Sequence, residues 1–376
     1  MIAENMSILD LLDPEEAEAL KPIKSTDWKW SFKDYPKEKN GLKVFSCFAC
    51  GGGSTMGYKL AGCEVIGCVE IDKKMNDVYV ANHHPKHNFC MDIREFNKMP
   101  DNELPNELFS LDILDGSPPC TTFSMAGERE KNWGKAKKFR EGQAEQTLDD
   151  LSFVFIETAK KLHPKFVIME NVEGLLLGAA YDYVRRIYKD FDDAGYNCRH
   201  YLCKGEYMGV PQTRHRVFFI ASRKDISFNY EKLDMSFHYE PITYGIIKSI
   251  VGDEWSKLAK QGKLYNLFMS AIPSDKNLGD INLRLNGKAS YFQCYILHDN
   301  EVLPTIRASR GFDAYRYVDK KKSTVEDVIH AQTFPEDFDF GKKTMNTVSF
   351  ICGMSVPPIM IKRIVTRIIE TGVFEK

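Results

Sequence analysis

Short apolar runs alternate with amphipathic stretches from Leu42 to about Arg223. Lys43–Phe48, Glu64–Val69, Leu111–Leu114, Phe166–Met169 and Val217–Ala221 have the length and content of strands. Asp149–Leu162 and Tyr181–Ala194, between them, have helical spacing. This alternation predicts a parallel, doubly wound α/β sheet, a fold that binds ligands at the carboxyl ends of its strands. From about Asp225 to Val302 the pattern changes. Aromatics (Tyr265, Phe268, Tyr291, Phe292, Tyr295) mix with polar residues, which predicts a smaller second domain. A return segment follows from Pro304, and the chain ends in a helix starting near Pro358. Ile361, Ile364, Val365, Ile368 and Ile369 share one face of that helix, opposite Lys362, Arg363 and Arg367. Such a stripe must dock, most simply onto the α/β domain. The expected organisation is an extension over 1–40 with a short helix at Ser7–Leu20, a main domain over 41–224, a second domain over 225–303, and a return segment with its helix over 304–376.

The 376 residues suffice for two domains, and 43% hydrophobic with 28% charged residues is ordinary for a globular chain. No apolar run approaches the length of a membrane span, so no membrane partner is expected. The acidic N-terminus lacks the pattern of a secretory signal. Ten scattered cysteines, several inside apolar runs as Cys63 and Cys68 are, read as reduced thiols of a cytoplasmic protein. A net charge of −2 excludes a polycation, so any nucleic-acid contact must use a local basic surface.

Candidate chemistry concentrates at strand ends. In Gly116–Ser124, GSPPCTTFS, Pro118 and Pro119 stiffen the approach to Cys120. Fifty residues later the run Phe166–Met169 leads into Glu170-Asn171-Val172. A held thiol and a carboxylate suit covalent catalysis with acid assistance, although a lone cysteine is more often a small buried hydrophobe. Phe48-Ala49-Cys50-Gly51-Gly52-Gly53 turns a strand into a helix, and Glu70 ends the next strand. The pattern suits a nucleotide-like cofactor, with the acid on ribose hydroxyls. Cys47 and Cys50 form a CxxC whose redox reading is the weaker alternative. His83, His84, His87 and Cys90 match no standard zinc spacing, so no metal is expected. In Gln212-Thr213-Arg214-His215-Arg216, strand alternation puts both arginines on one side. Arg129, Lys131, Lys135, Lys137, Lys138 and Arg140, with Trp133, make a basic loop suited to closing over a phosphate backbone, or else a solvated surface loop offset by its glutamates.

These segments, PPC, ENV and QxRxR in that order, resemble the motifs of the bacterial and phage cytosine-5 DNA methyltransferases. Thr324 to Phe338, with its Q-x-F-P at Gln332 to Pro335, and Cys352 to Pro358 resemble the family's last two motifs, and Pro304-Thr305-Ile306 its return segment. Cys50 stands where the family has a glycine, His330 where an arginine is common, and Met354 where an asparagine is usual. The resemblance implies a Rossmann-like S-adenosylmethionine-dependent domain with a target-recognition domain over 225–303. It implies that Cys120 attacks carbon 6 of a flipped cytosine, with Glu170, Asn171, Arg214 and Arg216 assisting. It implies cofactor contacts from Phe48, Ala49, Gly51, Gly52, Gly53, Glu70, Ile71, Asp92, Ile93, Pro118, Leu148, Ser355 and Val356. The implied substrate is double-stranded DNA, the expected state a monomer, and a cognate restriction endonuclease a candidate partner. A tRNA cytosine-5 methyltransferase and a catalytically idle DNA-binding relative are the alternatives.

Overall fold

The computed structural model describes residues 23–119, 150–178, 181–254, 256, 259–308 and 312–375. Strands β1 (Lys43–Cys47), β2 (Glu64–Val69), β3 (His87–Phe89), β4 (Ile113–Gly116), β5 (Phe166–Val172), β6 (Tyr196–Lys204) and β8 (His215–Arg223) form a seven-stranded sheet in the order β3-β2-β1-β4-β5-β8-β6. Helices α1 (Gly53–Leu60), α2 (Lys73–His83), α3 (Ile93–Lys98), α4 (Leu151–Leu162) and α5 (Tyr181–Asp193) link these strands.

The parallel expectation holds from β3 through β5, but β8 runs antiparallel to both β5 and β6. The reversal changes where the arginine motif lies. A segment that enters an antiparallel strand sits at the same sheet edge as the carboxyl ends of the parallel strands. Arg216 thus stands opposite Val172 and Val217 opposite Asn171. Glu170 and Asn171 lie inside β5 rather than past its end, because β8 keeps pairing with them. Tyr196–Lys204, YNCRHYLCK, had no strand expectation; its mixed polar and aromatic content fits an edge strand with one covered side.

The central strands are buried on both faces, which is why their sequences read as unbroken apolar runs. Phe45, Leu114, Val167, Met169 and Phe219 pack with α3, α4 and α5 on one side. Val44, Ile113, Phe166, Ile168, Phe218 and Ile220 face the other, with α1, α9 (Val325–Ala331), α10 (Met345–Met354) and α11 (Pro358–Glu370). The α11 stripe docks as expected, and Ile361, Ile364, Val365 and Ile368 are fully buried. Each such side chain contributes about 1.5–3 kcal/mol. Met345–Glu370 is long and apolar enough, by length and composition alone, to cross a membrane. Most of it is buried here, and Ser355-Val356-Pro357 separates α10 from α11.

Residues 23–40 pack onto this body. Trp30 is buried and donates its indole N–H to the Thr333 carbonyl, and Asp27 pairs with Lys362 and Arg363 on the polar face of α11. Beyond β8, Ile226, Phe228, Tyr230, Met235 and Phe237 pack against the main core. A separate small core joins Leu267 and Phe268 on α7 (Lys263–Met269), Leu278 and Ile281 on α8 (Leu278–Asn286), Ile296 on β9 (Tyr295–Leu297) and Tyr315 on β11 (Ala314–Arg316). β9 pairs with β11, and β10 (Leu303–Pro304) pairs with β7 (Gln212–Thr213), so the return segment touches both cores.

Candidate active site

At the carboxyl edge of the sheet lies a cavity of about 890 Å³. Its floor begins with the turn after β1. Phe48 (φ 56), Cys50 (φ 47) and Gly52 (φ 84) all take the left-handed conformation. Cys50 therefore occupies a backbone geometry that favours glycine, at a cost of about 1–2 kcal/mol. The three glycines answer to the protein behind them. A Cβ on Gly51 would meet Ile351 at 2.6 Å, one on Gly52 the His83 ring at 2.0 Å, and one on Gly53 the Val356 carbonyl at 2.1 Å. Ser355 and Val356 accordingly sit behind the turn rather than on the cavity wall, and Ala49 is buried beside Cys68 and Tyr79. Phe48, Cys50, Ile71 and Pro118 do reach the wall.

His83 is not part of an exposed cluster. It points inward from the end of α2, donates through Nε2 to the Gly51 carbonyl at 3.0 Å, and burial pushes it down to about 3, which keeps it neutral. His87 pairs with Glu107 instead. Cys47 and Cys50 are both buried, and burial pushes both thiols up, Cys50 to about 12, a state unsuited to thiol exchange.

Glu70 lies across the cavity floor. Its Oε2 accepts from the Cys50 N–H at 2.7 Å and its Oε1 from the Asp72 N–H at 2.8 Å. Burial raises its pKa, and the backbone N–H groups of Asp72, Cys50 and Ile71 oppose that rise. The carboxylate keeps lone-pair capacity for a hydroxyl. Asp92 caps α3 through the Arg94 N–H, and its neighbour Ile93 is buried; both line the cavity.

Opposite stand the ends of β4 and β5 and the start of β8. Arg216 Nε lies 2.7 Å from Glu170 Oε1, with both side chains largely buried. Burial lowers the Arg216 pKa and Glu170 counteracts it. Asn171 donates to the Pro118 carbonyl at 3.5 Å and so ties β5 to the PPC approach. Arg214 lines the same wall but donates to the carbonyls of Ile306, Gly353 and Ser355, clamping the return segment to the turn after α10. Met354, the family departure, also lines the cavity. Cys120, Leu148 and the basic loop over 128–146 lie outside the described residues.

Several residues of this region escaped the sequence reading. His215 bridges Glu173 and Glu206 between the two arginines. Asp115 on β4 is buried and accepts from Ser46 at 2.7 Å and Tyr58 at 3.2 Å; burial raises it to about 7. Both are single polar residues whose partners come from other elements, so no local pattern marks them. Arg307 and Tyr295, which also line the cavity, sit in segments with no motif spacing.

The profile of the C-5 cytosine-specific DNA methylases matches residues 42–370. The chain is 27% identical to the Type II methyltransferase M.NgoPII of Neisseria gonorrhoeae, covering 89% of this chain and 98% of that one. It is 35% identical to the Type II methyltransferase M.FnuDI of Fusobacterium nucleatum over half of each chain. Among solved structures, a putative DNA modification methyltransferase of an Escherichia coli prophage superposes with a TM-score of 0.61 at 19% identity, covering 88% of this chain and 99% of that one. A Spodoptera frugiperda DNMT2 mutant gives 0.59 at 15% identity, with 88% and 100% covered, a likeness of fold.

Proposed function

The chain belongs to the C-5 cytosine-specific DNA methylase family, and from that premise we propose how its own residues perform the reaction. The protein is a DNA cytosine-5 methyltransferase that uses S-adenosylmethionine. The cavity suits that donor: apolar walls from Val69, Ile71 and Met91 flank two carboxylates, Glu70 and Asp92, that can accept from hydroxyls and an amine. Phe48, Glu70, Asp92 and Ile93 would hold it. When bound, it supplies a methyl group on a positively charged sulfur.

The remaining chemistry falls to side chains. Carbon 5 of cytosine is a poor nucleophile. The target base is flipped out of the duplex, since a thiol cannot reach carbon 6 within the stack. The Cys120 thiolate adds to carbon 6 while Glu170 gives a proton to ring nitrogen 3, which makes carbon 5 an enamine carbon. Arg216 compensates the carboxylate left behind, and Asn171 holds the strand end against the PPC approach. After methylation a base removes the proton from carbon 5 and the thiolate leaves from carbon 6. The observation that carries this reading is the buried Glu170–Arg216 pair beside Pro118 and Pro119.

We place the protein as a monomer acting sequence-specifically on double-stranded DNA in the cytoplasm, with a cognate restriction endonuclease as candidate partner. Residues 225–303 are proposed to read the target. The test is incubation with tritiated S-adenosylmethionine and unmethylated duplex DNA, followed by bisulfite sequencing. Protected cytosines in one short context are expected, and none with Cys120→Ala. Methylation by that variant would overturn the covalent route. Incorporation into tRNA alone would move the substrate.

A further inference from the structure

Among the described residues three arginines line the cavity wall, and two of them are already engaged. Arg214 serves three backbone carbonyls, and Arg216 serves Glu170. Arg307 differs. It is half-buried, and among the described residues its hydrogen-bond partner is the Tyr295 hydroxyl, a neutral acceptor. Its guanidinium also lies 5.4 Å from the centre of the Tyr295 ring. No carboxylate among the described residues is within ion-pair distance of it. Burial lowers its pKa, and no anion among the described residues offsets that.

A guanidinium withdrawn from water with no counter-charge among the described residues is costly, and its position suits an anion that arrives from outside. The arginine is also held firmly in place. Gly353 has no room for a Cβ because the backbone of Arg307 and Ala308 lies 2.4–2.5 Å from where that atom would be. The Ile306 carbonyl just before it is fixed by Arg214.

We propose that Arg307 binds a phosphodiester of the DNA strand carrying the target cytosine, with Tyr295 orienting its planar fork. This rests on duplex DNA being the substrate. The fork matches two phosphate oxygens at once. Its place favours DNA over the carboxylate of the methyl donor. Arg307 follows β10, which pairs with β7 at the entry to β8. The acids suited to the nucleoside begin at the end of β2, four strand spacings from β8, roughly 19 Å at the usual strand separation.

The full-length chain and its Arg307→Ala, Arg307→Lys and Tyr295→Phe variants would be titrated with an unmethylated duplex at several salt concentrations. S-adenosylmethionine would be titrated separately by calorimetry. Arg307→Ala should raise the DNA Kd by about ten- to a hundredfold, alike for different duplex sequences. The slope of log K against log salt should fall by about one. Arg307→Lys should recover part of the affinity, Tyr295→Phe should lose less than Arg307→Ala, and affinity for the methyl donor should not change. Unaltered DNA affinity and salt slope would overturn the proposal. So would a loss of affinity for S-adenosylmethionine alone, which assigns the arginine to that carboxylate. Melting curves read folding, and if Arg307→Ala unfolds, the Lys and Phe variants decide on the same criteria. Methylation of the same duplex by the unsubstituted chain reads the substrate assignment independently.

Discussion

The Arg216 guanidinium reaches Glu170 across the antiparallel β5–β8 ladder, Nε to Oε1, at 2.7 Å. Each side chain is the other's neutralising partner in a largely dry site, so the two substitutions should fail differently. Glu170→Gln keeps the shape and removes the proton donor. Its methyl-transfer rate should fall roughly 10²–10⁴-fold. The Arg216 guanidinium left without a counter-charge should cost folding stability as well, less than Arg216→Ala does because the amide oxygen still accepts its hydrogen bond. Arg216→Ala leaves a buried carboxylate alone and should also cost about 3 kcal/mol of folding stability. Rates and urea midpoints measured on both variants check this. Equal stability losses would contradict it.

Gly52→Ala should cost about 3 kcal/mol or more. The new Cβ meets the His83 ring, and φ of 84° disfavours any side chain. Adding His83→Ala should recover the clash but not the backbone strain. A double-mutant cycle on unfolding free energies therefore should show strong positive coupling between the two sites.

Asp115 gives stability a pH dependence of known sign. In the folded chain burial keeps it protonated up to about 7, against 3.8 for the ordinary group. The folded state thus holds the extra proton between those values. Its contribution is full below about pH 4 and is lost as pH rises through 7. Asp115→Asn cannot ionise, so relative to the unsubstituted protein it should gain on the order of a few kcal/mol between pH 5 and pH 8. Urea unfolding of both proteins at the two pH values is the measurement, and a constant difference would sink the idea.

Thiol mapping tests the cysteine assignments directly. Cys90 is exposed, whereas Cys47, Cys50 and Cys352 are buried and their thiols are pushed up by burial. Under native conditions at pH 8, iodoacetamide should label Cys90 and spare those three, as read by mass spectrometry of peptides. Early modification of Cys47 together with Cys50 would revive the redox reading of the CxxC.

Much of the scaffold was legible because β1, β2, β4 and β5 are buried on both faces and so write themselves as apolar runs. The direction of β8 was not legible. Nothing in HRVFFIASR distinguishes a parallel from an antiparallel partner; the direction comes from β6, which pairs beside it. Glu170 and Arg216 could be nominated from motif order, but their contact depends on that reversal. The glycines illustrate the other limit. Their pattern announces a tight turn, yet the atoms that demand it belong to Ile351, His83 and Val356, and two of these lie about 300 residues further along the chain.

That separation bears on how the protein is made. The turn after β1 is backed by α10 and α11, and Gly57 of α1 leaves space for Ile361 and the Pro358 carbonyl. Contacts this far apart close late, after the loop entropy of the whole intervening chain has been overcome. During synthesis the strands bearing Glu170 and Arg216 emerge well before those helices. A nascent chain would therefore carry its acid and arginines before it has a rigid floor for the methyl donor, and the capacity to modify DNA would switch on only when the last described helix folds back.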